Sequence, residues 1–151
     1  MAEITSLLHA AYAQFGALGF NYTAVDQAEH VTRNRIKGGN CFVACEGPRI
    51  IGTIVYHRHA GGCQWYDLPQ VGAIHQLGVL PACQGRGVGR RLIETAEARA
   101  RETGAGELAL DTSDGAHHLV EWYRRLGYRI VEHVQWEGKT YRSVIMSKAL
   151  E

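Results

Sequence analysis

The run Gln84-Gly85-Arg86-Gly87-Val88-Gly89 is the stretch of the chain whose residue types point most directly to chemistry. Glycines at 85, 87 and 89 free the backbone to take unusual dihedrals and to approach a ligand with no Cβ in the way. Val88, Leu92, Ala96 and Ala100 then recur at helical spacing, so the turn opens a helix. The start of a helix offers main-chain N–H groups without internal partners and the positive end of its dipole, and the expected ligand is an anion such as a phosphate. Arg86 and Arg90 add charge-assisted donors. The turn lacks the closing Gly-Lys-Ser or Gly-Lys-Thr of a P-loop and the Gly-x-Gly-x-x-Gly spacing of a dinucleotide fold. Taken alone, three glycines suit a ligand-free turn equally well.

Other reactive residue types are less organised. His57, His59 and Cys63 have a metal-like spacing, but no second cysteine pair lies near, and no metal site is expected. His117 and His118 are adjacent, so on a helix their rings point apart. The cysteines, Cys41, Cys45, Cys63 and Cys83, form no Cys-x-x-Cys pair. Four strand residues would hold Cys41 and Cys45 about 13 Å apart, too far for a disulfide.

The elements that must carry these residues can be read from periodicity. Ile4, Leu7, Leu8, Ala11, Phe15 and Leu18 mark one face of a helix that ends near Gly19. A second helix is expected from a cap at Asp26 to Lys37, stopped by Gly38-Gly39. Cys41–Cys45 and Ile50–His57 read as a hairpin across Glu46-Gly47-Pro48-Arg49. Gly72 to Leu80 reads as a buried strand that stops at Pro81, with a bulge expected at Gly78. Beyond the glycine turn and its helix, Glu107–Thr112 is a strand and Asp114 is the expected cap of a helix through Leu119, Trp122, Tyr123 and Leu126. The segments on either side of Gly138 make a final hairpin.

Length and composition set the bounds. The chain has 151 residues, 46% hydrophobic and 21% charged, with a formal net charge of +1, the profile of a globular protein of one domain. Arg86, Arg90, Arg91, Arg99 and Arg101 are interleaved with Glu94, Glu97 and Glu102, so no nucleic-acid surface is expected. No apolar run reaches the roughly 20 residues of a membrane span, and no secretory leader is recognisable, which makes a cytoplasmic location the expectation.

Leu77-Gly78-Val79-Leu80-Pro81 followed by Gln84 to Gly89 resembles the signature segment of the GNAT superfamily of N-acetyltransferases, with Gln84, Gly87 and Gly89 on its Gln-x-x-Gly-x-Gly core. Trp122-Tyr123-Arg124-Arg125-Leu126-Gly127-Tyr128 resembles the superfamily's downstream aromatic-Tyr-x-x-x-Gly-aromatic segment. The resemblance covers the chain from about Cys41 to Lys148 and implies an α/β fold, the single-domain acyl-CoA N-acyltransferase (GNAT) fold over residues 1–151. Its mixed, twisted β-sheet is flanked by helices. It implies acetyl-CoA as co-substrate and a small-molecule or peptide amine as acceptor, and it leaves a homodimer open.

The resemblance also implies roles. Two neighbouring strands splay apart and take the pantetheine arm, here on backbone groups of Leu77 and Val79 beside Gly78. Amides from Gly85 through Arg86, Gly87, Val88 and Gly89 to Arg90 take the pyrophosphate. Tyr123 is implied as general acid for the leaving thiolate, whose pKa lies near that of cysteine at about 8.5. An alkylamine, with a pKa of about 10.4, must lose a proton, and His75 on the signature strand is the candidate base, directly or through water. The acceptor pocket is expected between the first two helices and the segment before the signature strand, with Tyr22, Trp65, Tyr66 and Asp67. Ala116 stands where the superfamily often has an asparagine, so that cofactor contact passes to Ser113, Asp114 or His118, or is absent. The competing reading is a non-catalytic acyl-CoA-binding sensor or partner-binding module.

Overall fold

Six strands, β1 (Asn40–Glu46), β2 (Arg49–His57), β3 (Val71–Val79), β4 (Glu107–Ser113), β5 (Arg129–Val134) and β6 (Ser143–Ala149), join into one sheet in the order β1-β2-β3-β4-β6-β5. The computed structural model describes residues 1–151. Pairing is antiparallel everywhere except between β3 and β4, which run parallel. The helices are α1 (Ala2–Ala17), α2 (Glu29–Ile36), α3 (Val88–Glu102) and α4 (His117–Arg125).

Opposite faces of the sheet carry α1 and α3, which two glycines make plain. A Cβ on Gly52 would meet Leu92 and Val88 of α3, whereas one on Gly78 would meet Leu7, Leu8 and Ala11 of α1. Thr53 lies opposite Gly78 and Gly52 opposite Val79, so adjacent residues alternate between the helices as strand geometry requires. On the α3 side Leu92, Ile93, Ala96 and Ala100 pack with Ile54, Tyr56, Ile74 and Leu110. The other face is covered in part by Cys63 and Tyr66, which pack on Val71, Ala73, Ala109 and Ile145.

The bulge falls two residues before its expected place. Thr53 pairs with Gly78 but Val55 pairs with His75, so the extra residue lies at Gln76-Leu77. Gln76 has φ of 54°, the one non-glycine residue with positive φ. Gly78 is needed for a different reason, the close approach of α1. The bulge breaks alternation, so His75 and Gln76 share one hollow while Leu77 and Val79 pack toward the α3 core. Beyond this point β3 leaves β4, for the two pair only over Val71–Ala73 and Glu107–Ala109.

Two expected caps are also displaced. Asp26 follows the short 3-10 turn Thr23–Val25, and α2 starts after Ala28, because buried Gln27 is drawn inward by hydrogen bonds to Thr32 and Gln76. Asp114 is committed to Arg142 at 2.9 Å, leaving Ala116 as the N-cap of α4.

Glu97, buried on α3, accepts from Lys148 Nζ at 3.0 Å and from the Tyr128 hydroxyl at 2.9 Å. Lys148→Met should lower stability by about 2–3 kcal/mol, because a buried carboxylate then keeps one donor only. Urea unfolding at neutral pH checks this, and an unchanged midpoint would mean that water replaces the ammonium without cost.

Candidate functional site

A groove runs from the splay between β3 and β4 to the mouth of α3. The left-handed conformations that the turn demands fall on Gly85 (φ 77°) and on Gly87 (φ 80°), the N-cap of α3. No side chain caps α3, its first turn holds no acid, and its first internal hydrogen bond is Arg91 N–H to Gly87 O. The amides of Val88, Gly89 and Arg90 therefore open onto the groove, a main-chain geometry of the kind that suits an anion.

The strand side of the groove is main chain as well. Leu80 N–H donates to Ile51 O, which makes the neighbouring pair Gly52–Val79 a non-bonded one and turns the N–H and C=O of Val79 toward the splay. Val79 O accepts from the Gln84 side chain at 3.2 Å, and Leu77 O accepts from the Tyr12 hydroxyl at 2.7 Å. Leu77, Gly78, Val79, Gln84, Gly85, Gly87, Val88, Gly89 and Arg90 all line the groove. Arg86 is the exception, because its guanidinium reaches away to Glu46 at 2.6 Å and leaves only its amide in the turn. Near Ala116, where the superfamily often has an asparagine, His118 lines the groove and stacks on Phe15, while Ser113 and Asp114 bond within their own loop or to Arg142.

A second hollow adjoins the first, and Tyr12, Leu119 and Tyr123 line both. Tyr123 is 8% exposed and its hydroxyl has no hydrogen-bond partner in the chain. Burial, reinforced by Tyr12, Tyr22 and Asp111, holds its pKa well above the ordinary tyrosine value. It therefore stays protonated near neutrality, at the junction of the two hollows.

Of the residues assigned to the acceptor pocket, Tyr22 and Tyr66 line the second hollow, with His75 beside them, but Trp65 and Asp67 do not. Trp65 lies under the Arg129 guanidinium with its backbone N–H donating to Glu132, and Asp67 turns back to accept from Gly62 N–H. The carboxylate that does face the hollow is Asp111 of β4, which accepts from the Tyr66 hydroxyl at 2.7 Å and Trp136 Nε1 at 3.1 Å. Its signal was an acid at the end of the apolar run Leu108-Ala109-Leu110. Arg35, His57, Gln76 and Tyr141 also line the hollow. They come from separate elements and carry no common spacing. His57 is held by the Arg35 carbonyl at 2.8 Å, and His57, His59 and Cys63 form no ligand set.

The pKa of His75 is pushed down to about 3, first by burial and then by Arg35 and His57. The ring stays neutral at physiological pH and binds a proton weakly. The unfolded chain takes up this proton below about pH 6.5, the folded chain only near 3. Stability from this group is therefore complete above 6.5 and lost as pH falls through that window, by up to about 1.4 kcal/mol per pH unit. The gap in unfolding free energy between about pH 7 and about pH 4.5 should be smaller in His75→Gln. An equal gap would mean that His75 titrates normally.

A model of the Acetyltransferase (GNAT) family matches residues 4–128. YvbK of Bacillus subtilis strain 168, an uncharacterised N-acetyltransferase, is 24% identical over 105 residues, 70% of this chain and 63% of that protein. The chain thus spans less than two thirds of that relative's length. The structure of PH1933 from Pyrococcus horikoshii OT3 superposes with a TM-score of 0.76 at 22% identity, over 100% of this chain and 93% of the other. A GNAT family acetyltransferase from Elizabethkingia anophelis, with acetyl-CoA bound, gives 0.65 at 17% identity, over 83% and 85%. At these identities the structures share a fold with this chain. The family match reaches from α1 through the Tyr123 segment and so takes in every residue that lines the groove. The chain belongs to the acetyltransferase (GNAT) family.

Proposed function

We propose that the protein is an acetyl-CoA-dependent N-acetyltransferase that moves an acetyl group to a primary amine by direct attack in a ternary complex. The observation that carries this reading is the position of Tyr123, whose protonated and unpartnered hydroxyl lies where the groove meets the acceptor hollow. The residues of the groove fit coenzyme A. Amides from Gly85 to Arg90 hold the pyrophosphate, and the splay at Leu77 and Val79 holds the pantetheine. Acetyl-CoA supplies an activated thioester carbonyl.

The neutral amine adds to that carbonyl from the acceptor hollow. The intermediate collapses with loss of the thiolate, which takes the Tyr123 proton, and the proton released by the amine nitrogen restores the tyrosine or leaves through water. His75 holds that water rather than keeping the proton, because a group with a pKa of about 3 retains no proton near neutrality. Aromatic Tyr22 and Tyr66 flank the incoming amine, and Asp111 holds its ammonium form before deprotonation.

A panel of primary amines with acetyl-CoA, read as released thiol and as acetylated product by mass spectrometry, tests the reading. Amine-dependent thiol release is expected. Tight acetyl-CoA binding with no transfer to any amine would favour an acyl-CoA sensor instead.

A further inference from the structure

Arg35 and Lys139 bring two cations to the wall of the acceptor hollow against one carboxylate, Asp111. Neither cation takes part in a salt bridge. Lys139 is held within its surroundings, its Nζ donating to Asn21 O at 2.8 Å and Thr23 Oγ1 at 2.9 Å. The Arg35 guanidinium makes one side-chain bond, from Nη1 to Gln27 Oε1 at 2.9 Å. Its other N–H groups have no acceptor in the chain.

The polarity of the adjoining network is forced. A guanidinium only donates, so Gln27 must present its oxygen to Arg35. The Gln27 amide nitrogen then donates to Thr32 Oγ1 at 2.7 Å and to Gln76 Oε1 at 2.6 Å. Gln76 Nε2 is thereby left buried without an acceptor, on a residue only 4% exposed that lines the same hollow. Its place there follows from the bulge, which holds Gln76 at positive φ. A desolvated amide and a guanidinium with unused donors, joined through one glutamine, together lack an oxygen that bears negative charge.

We infer that the acetyl acceptor is an amine that also carries a carboxylate, with the carboxylate seated on Arg35 and Gln76 and the amine directed to Tyr123. This rests on the acetyl-transfer reading and narrows its acceptor. The charges agree. Arg35 and Lys139 against Asp111 leave one positive charge on the wall, and an amino carboxylate in its reactive form, with the amine neutral, bears one negative charge. A polyamine would set further cations against both Arg35 and Lys139.

The test compares L-amino acids and γ-aminobutyrate with their methyl esters, the matched decarboxylated amines and O-phosphoethanolamine, as acceptors for acetyl-CoA. The best amino carboxylate should exceed its ester by about 10- to 100-fold in kcat/KM. Arg35→Gln should drive that ratio toward one through KM, with Arg35→Lys intermediate, and circular dichroism verifies that both variants fold. Preference for esters, plain amines or the phosphomonoester would overturn the inference, as would an equal loss on acid and ester in Arg35→Gln. Calorimetry of the same amino carboxylates in the presence of CoA separates the two levels. If no amine is acetylated but an amino carboxylate binds wild type and not Arg35→Gln, the carboxylate seat stands and acetyl transfer falls. If none is acetylated and none binds, the seat falls as well.

Discussion

A Gly87→Val variant is expected to lose acetyl-CoA binding by at least about 100-fold while remaining folded. Open space surrounds Gly87, and nothing lies within 4 Å of a Cβ built there, so the core has no clash to relieve. The damage comes from the backbone. Gly87 sits at φ 80°, and a β-branched residue avoids that region, so the N-cap of α3 must take another conformation. Moving it re-aims the amides of Val88, Gly89 and Arg90, which are proposed to hold the pyrophosphate. Each charge-assisted bond is worth about 1.5–3 kcal/mol, so loss of two accounts for the predicted fall. Calorimetry with acetyl-CoA decides the matter, with thermal unfolding as the check on folding. Wild-type affinity in the variant would remove the turn from the cofactor site.

Tyr123→Phe should lower kcat by about 10²- to 10³-fold with acetyl-CoA affinity changed less than about twofold. The hydroxyl makes no hydrogen bond within the chain, so removing it orphans no donor or acceptor, and the ring can keep its contacts with Trp122 and Tyr128. What is lost is a proton held at the junction of groove and hollow and needed only as the thiolate departs. Turnover equal to wild type across the pH range would exclude Tyr123 as the acid and leave it an aromatic of the core. A matching fall in cofactor affinity would assign it to binding instead.

These two residues differ from most of the second hollow in how they could be found. The glycine turn and the Tyr123 segment are each contiguous, because one strand-to-helix turn and one helix suffice to build them. Local patterns accordingly revealed both, along with the helix α1, the two hairpins and the strand β3. The hollow is assembled from α1, α2, α4, β2, β3, β4 and the loops between them, with no more than three residues from any one helix or strand. Arg35, His57, Asp111 and Tyr141 share no spacing. Trp65 and Asp67, adjacent to Tyr66 in sequence, fall outside it because Tyr66 is the residue that faces Asp111.

The placing of bulge and caps shows the same division. A glycine in a strand invites a bulge, and Gly78 was the reasonable place for one, yet the strain is taken by Gln76. Its side chain is tied to Gln27 in the segment before α2, while the α1 helix needs the missing Cβ of Gly78 for its own close packing. Asp26 and Asp114 are good caps by residue type, but a buried glutamine displaces the start of one helix and an ion pair with Arg142 occupies the other acid.

The order of elements, the glycine turn and the tyrosine segment were thus determined by local sequence, since each depends on residues within a few positions of one another. Which faces His75 and Gln76 present, which acid enters the hollow and where two cations stand unpaired were decided only in the tertiary structure. Those features depend on pairing across the sheet and on competition for partners far apart in the chain, and no short-range spacing encodes either.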